Sequence, residues 1–292
     1  MRGMNRFHHI LFPLDFSERS HAAAPFVLSM AQQNHAKVSL VHAIEPAPPI
    51  YGAMNSVFPD TIDYGDVSAV LKTRMSEFAA KELPKLEVSS SVEIGDPAST
   101  IVGYVEANGV DLIAMPTHGY GTFRRLLLGS VTAKVLHDAK VAVWTTAHAP
   151  EPSHRAHPLP RHIVLALDLH PRSKRTVELA LEMAKGTGAD IEILHIAPEG
   201  QTVSATAEER VDTLLQAAAS EQEVEVHSEN PGDAGEVLAG GSISAQVRSL
   251  ALRKRADLVI IGHGHTHTGI IGRLKAVSYA IVREAPCPVL SF

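Results

Sequence analysis

The chain has 292 residues, 45% of them hydrophobic, with 26 basic and 32 acidic side chains and a formal net charge of −6. Each half is long enough to bury its own core, and the acidic balance lacks the clustered Lys and Arg that DNA or RNA phosphates require. The one cysteine, Cys287, excludes an internal disulfide framework; no apolar run nears the ~20 residues that span a bilayer, and the run before Pro13 is too short for a signal-peptide core, so a cytoplasmic protein is expected.

Residues 9–14 form a short apolar run stopped by Asp15, the pattern of a strand buried on both faces. Ser17 then caps a helix reaching Asn34, with Ala23, Phe26, Val27 and Met30 on one face. A second strand covers 38–44. Residues 46–66 hold four prolines and read as a long loop. A helix over 67–83 is ended by Pro84, and a strand covers 87–94. Asp96-Pro97 opens a third helix with a cap and a proline at its first position, and Asn108-Gly109 ends it. A strand at 111–115, a helix at 130–138 and a strand at 141–145 complete the half. Strands alternating with helices in this way give right-handed crossovers and a parallel sheet covered on both faces.

The pattern then repeats. At an offset of 153, His9 meets His162, Asp15 meets Asp168, and VSLVHAI from Val38 meets IEILHIA from Ile191. At an offset of 146, DLIAMPTHG from Asp111 meets DLVIIGHGH from Asp257. Strands are expected at 162–167, 190–196, 223–227, 258–261 and 288–290, with a shorter loop at 198–206. The division is therefore a domain over 1–147, a stiff proline-rich linker over 148–160 and a second domain over 161–292. The last strands, VAVWT and PVLSF, would be exposed edges unless they pair, so the halves are expected to pack as an internal pseudo-dimer.

The loop after the fourth strand reads PTHGYGTFRRLLLGS, residues 116–130. Glycines at 119, 121 and 129 allow close backbone approach, and Gly129-Ser130 stands at a helix start, where free N–H groups and the dipole favour an anion. Ser130 offers a hydroxyl, and Arg124 and Arg125 offer charge. In open parallel sheets ligands lie beyond the carboxyl ends of the strands, where strand order reverses. Asp15 would repel phosphate there and suits a sugar or base end better.

ILFPLDFSERS, LVHAIE, GDPASTIV, DLIAMPTHG, LLLGSVTAKVLHDA and REAPCPVL fall in order over almost the whole chain. With these segments the chain resembles the universal stress protein family in its tandem two-domain form. The resemblance implies an α/β fold of two tandem doubly wound, parallel five-stranded sheets of the adenine nucleotide α-hydrolase-like kind, dimerising through the last strand. It also implies binding of ATP, or of AMP or ADP, with magnesium as an accompanying ion, through a G-x2-G-x9-G-[ST] loop. That motif falls on Pro116, Gly119, Gly129 and Ser130, and the other family contacts fall on Pro13, Asp15, Val41, Met115 and Val131. Pro116 departs from the motif's first glycine and lacks an N–H donor.

The second copy keeps Asp168 and Gly262, but has His265 at the second glycine and Lys275-Ala276 where Gly-Ser would stand, and Ala166 replaces the proline before the aspartate. Asp168, Gly262, His265 and Lys275 make a degenerate second site, read mainly as a copy retained for packing. His263, His265 and His267 alternate in one loop at a spacing that suits a transition metal, with no acidic or cysteine ligand beside them. No catalytic constellation emerges. The leading reading is a stress-response protein that binds an adenine nucleotide in its N-terminal domain and signals or protects. A nucleotide-independent scaffold and a slow ATP hydrolase are the alternatives, and a further homodimer is left open.

Overall fold

The structure, a computed structural model, describes residues 7–46, 64–117, 128–147, 159–167, 173–195, 213, 242–262 and 271–292. The strand expected at 223–227, the loop at 198–206 and most of the linker and of the 46–66 loop lie outside them. The first half runs β1 (His9–Pro13), α1 (Glu18–Asn34), β2 (Lys37–Ile44), α2 (Tyr64–Glu82), β3 (Val88–Ile94), α3 (Pro97–Asn108), β4 (Leu112–Met115), α4 (Ser130–Asp138) and β5 (Ala142–Thr145). The second runs β6 (His162–Leu167), α5 (Ser173–Thr187), β7 (Asp190–His195), α6 (Ile243–Arg253), β8 (Leu258–Ile261), α7 (Ile271–Glu284) and β9 (Val289–Ser291).

These nine strands form one sheet in the order β3-β2-β1-β4-β5-β9-β8-β6-β7. Pairing is parallel within each half and antiparallel only at the seam, where Val143, Trp144 and Thr145 of β5 lie opposite Ser291, Leu290 and Val289 of β9. The pseudo-dimer thus takes the form of a continuous sheet, since pairing the two last strands satisfies both edges. In the first half β1 lies between β2 and β4, so the strand order reverses at β1 and β4.

The strands are buried on both faces. Ile10, Phe12 and Leu14 of the β1 segment pack with Ala23 and Val27 of α1 and Met75 and Phe78 of α2. Leu11, Ile113 and Met115 pack on the opposite face with Ile101 and Val105 of α3 and Val135 of α4. Side-chain caps fix three helix starts: Ser17 accepts from Ser20 N, Asp96 from Ser99 N and Ser242 from Ala245 N. Pro25 removes one bond inside α1, yet the helix continues because its buried face is held against the sheet.

An aspartate just before β4, and another just before β8, clamps the first strand of its half. The Asp111 carboxylate accepts from the N–H groups of His8 and His9 at 2.8 and 3.2 Å, and Asp257 Oδ2 accepts from those of Arg161 and His162 at 2.9 and 3.1 Å. The first half adds a polar chain beneath α3. Buried His9 donates Nδ1–H to Asn108 O at 3.1 Å, which leaves Nε2 to accept from Ser39 Oγ at 2.6 Å. Ser39 Oγ lies 2.8 Å from Ser89 Oγ and accepts from Tyr104 at 3.2 Å. Burial lowers the His9 pKa below 6.5, although the Asn108 carbonyl opposes that shift.

Because the folded pKa lies below the unfolded one, the unfolded chain binds the extra proton first. Stability contributed by neutral His9 is complete above pH 6.5 and is lost as the pH falls from there through the folded pKa. Urea denaturation of the parent and of His9→Gln between pH 7.5 and 5 is expected to show the parent losing more stability on acidification. At the seam, Trp144 is 3% exposed and its ring lies 5.1 Å from that of Phe26. Trp144→Ala is expected to cost about 3–5 kcal/mol, as measured by chemical denaturation.

Candidate functional site

The carboxyl ends of β1 and β4 meet the start of α4 at one end of the sheet. Pro13 lies in register with Val41, and Leu14 N donates to Val41 O at 2.9 Å. The Val41 and Met115 side chains are buried in one cluster with Leu128, and Val131 packs against it. Two short contacts tie α4 and its cap to the segment after β4, and two more tie that segment to Thr146, just past β5. Thr132 Oγ1 donates to Pro116 O at 3.1 Å, and Gly129 N donates to Thr117 O at 3.0 Å. Thr117 N donates to Thr146 Oγ1 at 3.3 Å, and Thr146 N donates to Met115 O at 3.3 Å.

These bonds decide which groups remain for a ligand. The Gly129 amide is committed to Thr117, so the donors left are those of the first turn of α4, which have no intrahelical acceptor. Gly129 provides no side-chain cap, in contrast to Ser17, Asp96 and Ser242, and Ser130 is exposed beside the open turn. Fully buried Thr117 has a hydroxyl with no hydrogen-bond partner among the described residues. The helix start therefore suits a negative group.

On the β1 side, Asp15 Oδ1 accepts from Ser17 N at 2.9 Å and Ser20 Oγ at 2.5 Å, which orients its carboxylate and supports the first turn of α1. The next residue, Phe16, is left-handed at φ 59°. Its ring is held between the His42 ring, 5.2 Å away, and the Arg74 guanidinium carbon at 4.3 Å. His42 Nδ1 donates to Leu14 O at 2.7 Å, tying β2 to the same turn. Beside α4, Lys134 Nζ lies 2.7 Å from Asp96 Oδ1, joining α4 to the capped start of α3. The Lys134 and Ser99 hydrogen bonds hold the Asp96 carboxyl well below the usual range.

Of the residues expected from the sequence, Pro13, Asp15, Val41, Met115, Pro116, Gly129, Ser130 and Val131 lie around this end of the sheet. Gly119, Arg124 and Arg125 lie outside the described residues. In the second half Gly262 follows β8 and Lys275 falls within α7, while Asp168, His263, His265 and His267 lie outside the described residues. Thr117, Thr132 and Phe16 escaped the sequence reading. Only the side-chain chemistry of the PT pair and the turn residue after Asp15 could have flagged them. Cys287 is 1% exposed, and burial pushes its thiol far above the ordinary range, so it behaves as a small core side chain.

The family model for the universal stress protein family matches residues 6–146 and again 160–292. A universal stress protein of Methanocaldococcus jannaschii is 30% identical over 147 residues, covering 48% of this chain and 82% of its own. One from Mycobacterium tuberculosis is 24% identical over 311 residues, covering 97% of this chain and 96% of its own. The crystal structure of a universal stress protein from Archaeoglobus fulgidus superposes with a TM-score of 0.71 at 21% identity, over 97% of this chain and 95% of that one, which supports the fold. The chain belongs to the universal stress protein family, as a tandem of two copies of its domain. Among the described residues, no helix is long and apolar enough to cross a membrane.

The bond from Thr132 to the Pro116 carbonyl is buried. Thr132→Val keeps the shape and removes the donor, and is expected to lower stability by about 1–3 kcal/mol in thermal or urea denaturation.

Proposed function

We propose that the N-terminal half of this universal stress protein binds ATP or a related adenine nucleotide between the carboxyl ends of β1 and β4, and that the protein signals or protects rather than turns over a substrate. The uncapped start of α4 carries the reading: Gly129-Ser130 opens the helix without a side-chain cap. Its first-turn amides and the Ser130 hydroxyl form the phosphate end. Val41, Met115 and Leu128 supply an apolar wall suited to a flat base, and the oriented Asp15 carboxylate accepts from sugar or base donors. Magnesium would be carried with the phosphates.

Membership of a family of stress-response proteins supports the biological role. Asp15 already bonds the α1 cap, and His42 bonds a backbone carbonyl, so both are engaged in bracing the turn after β1. The site is thus built to hold a ligand, and slow hydrolysis is the secondary reading. The second half, where Lys275-Ala276 falls within α7 and not at its start, is proposed as the packing partner.

Small molecules released from freshly purified, denatured protein are expected to include ATP, ADP or AMP by mass spectrometry. Titration calorimetry with ATP and magnesium is expected to give one site per chain, and Ser130→Ala should weaken it about tenfold, the loss of one hydrogen bond to a charged group. A blank extract together with no heat of binding would favour the nucleotide-independent scaffold.

A further inference from the structure

The nine-stranded sheet ends on β3, whose outer edge has no strand beside it among the described residues. Val38 N donates to Glu87 O and Gly95 N donates to Ile44 O, each at 3.0 Å. Along a parallel strand, the N–H and C=O of one residue face one neighbour and those of the next residue face the other. Residues 87, 89, 91, 93 and 95 therefore face β2. Val88, Ser90, Val92 and Ile94 each turn an N–H and a C=O outward, and no described residue bonds these groups. Edge strands are commonly blunted by lysine, proline or a bulge. β3 has none of these: its sequence is VSSSVEI, and its register with β2 runs unbroken from Val38–Val88 to Ile44–Ile94.

The strand also matches its own reverse. Turned end for end about a two-fold axis at Ser91, a second β3 sets Val88 opposite Ile94 and Ser90 opposite Val92. Antiparallel pairing in this register employs every outward group. Between those pairs Ser89 stands opposite Glu93 and Ser91 opposite itself, so no like charges meet. Sliding the second strand one way brings Glu87 opposite Glu93, and sliding it the other way carries Val88 past the partner strand's end. Val88 and Val92 pack on the α1 and α2 side of the sheet. Ile94 shares that side by alternation and is 53% exposed, so pairing with a second Val88 would cover it. The chain already closes two edges in this antiparallel way at β5 and β9. That seam uses the last strand of each half and leaves β3 as the open edge of the first.

We infer that β3 is the surface through which two copies of this chain associate, joining their sheets across a two-fold axis between the paired Ser91 residues. The partner is a second copy because the strand complements itself in hydrogen-bonding groups, apolar pairs and charge.

Analytical ultracentrifugation of the full chain is expected to give twice the chain mass of 31.3 kDa at micromolar concentration. Ser90→Pro removes one outward N–H from each copy and sets a pyrrolidine ring against the partner, while the β2 bonds of residues 89 and 91 remain. It is expected to weaken dimerisation at least tenfold with the parent's circular dichroism retained. Ser91→Cys tests the register, and decides alone where the proline variant fails to fold. Facing residues of a non-hydrogen-bonded antiparallel pair have Cα atoms about 4.5 Å apart, within disulfide range. Because Cys287 is buried, mild oxidation is expected to cross-link Ser91→Cys and not the parent. Ser89→Cys, placed about 13 Å from its copy by the same register, is expected to stay uncross-linked. A folded Ser90→Pro chain that dimerises as tightly as the parent, or failure of Ser91→Cys to cross-link, would overturn the inference. A parent that stays monomeric up to its solubility limit overturns it as well, and leaves the edge to a strand of another protein.

Discussion

Every strand in a sheet offers N–H and C=O groups on both sides, and a buried strand must place nearly all of them. In this protein that requirement acts in opposite senses at two places. At β5 and β9 the outer edges of the two halves find each other and close an antiparallel seam, so two domains share one sheet. At β1 and β4 the requirement goes unmet near the carboxyl edge, because prolines stand where donors are needed. The first condition gives the scaffold its continuity. The second ends the β1–β4 pairing short of the carboxyl edge, at the end of the sheet where the start of α4 is uncapped.

The remainder of the site follows from how its borders are pinned. Thr132 and Gly129 fasten the start of α4 to Pro116 and Thr117, and Thr146, just past the seam strand β5, bonds Met115 and Thr117. The segment at the site is therefore connected within one residue to the strand that joins the halves. On the other side, Asp15 and His42 brace the turn after β1, and Phe16 keeps a left-handed backbone because His42 and Arg74 enclose its ring. That conformation costs about 1–2 kcal/mol for a side chain with a Cβ. Packing at this turn offsets the cost and fixes the carboxylate of Asp15.

The two copies share some devices and differ in others. Both keep the aspartate clamp, Asp111 before β4 and Asp257 before β8, because it serves the sheet. The buried chain through His9, Ser39 and Tyr104 belongs to the first copy; in the second, His162 has nearly half of its side chain exposed and faces Asp190. Where the first copy has Pro13 and Pro116, the second has Ala166 and Gly262 and zips two residue pairs further. The copy with the degenerate loop sequence also has the more complete ladder.

Much of this was legible in the residues themselves. The repeat, the alternation of elements, the caps at Ser17 and Asp96 and the apolar faces of α1 and α3 depend on neighbours close in sequence, so local chemistry determined them. The place of VAVWT and PVLSF as last strands, each an exposed edge if left alone, was enough to expect that the edges would pair. Pro116 was read from sequence as the loss of one contact at the start of a loop. Only the folded sheet shows which way its nitrogen faces, and that it stands opposite a second proline on a strand about a hundred residues earlier. The same holds for the Gly129 amide, which the sequence left free and the fold commits to Thr117. Composition and periodicity determine which segments become strands and helices. The direction in which each backbone group points, and what stands opposite it, exists only once distant strands have been set in register.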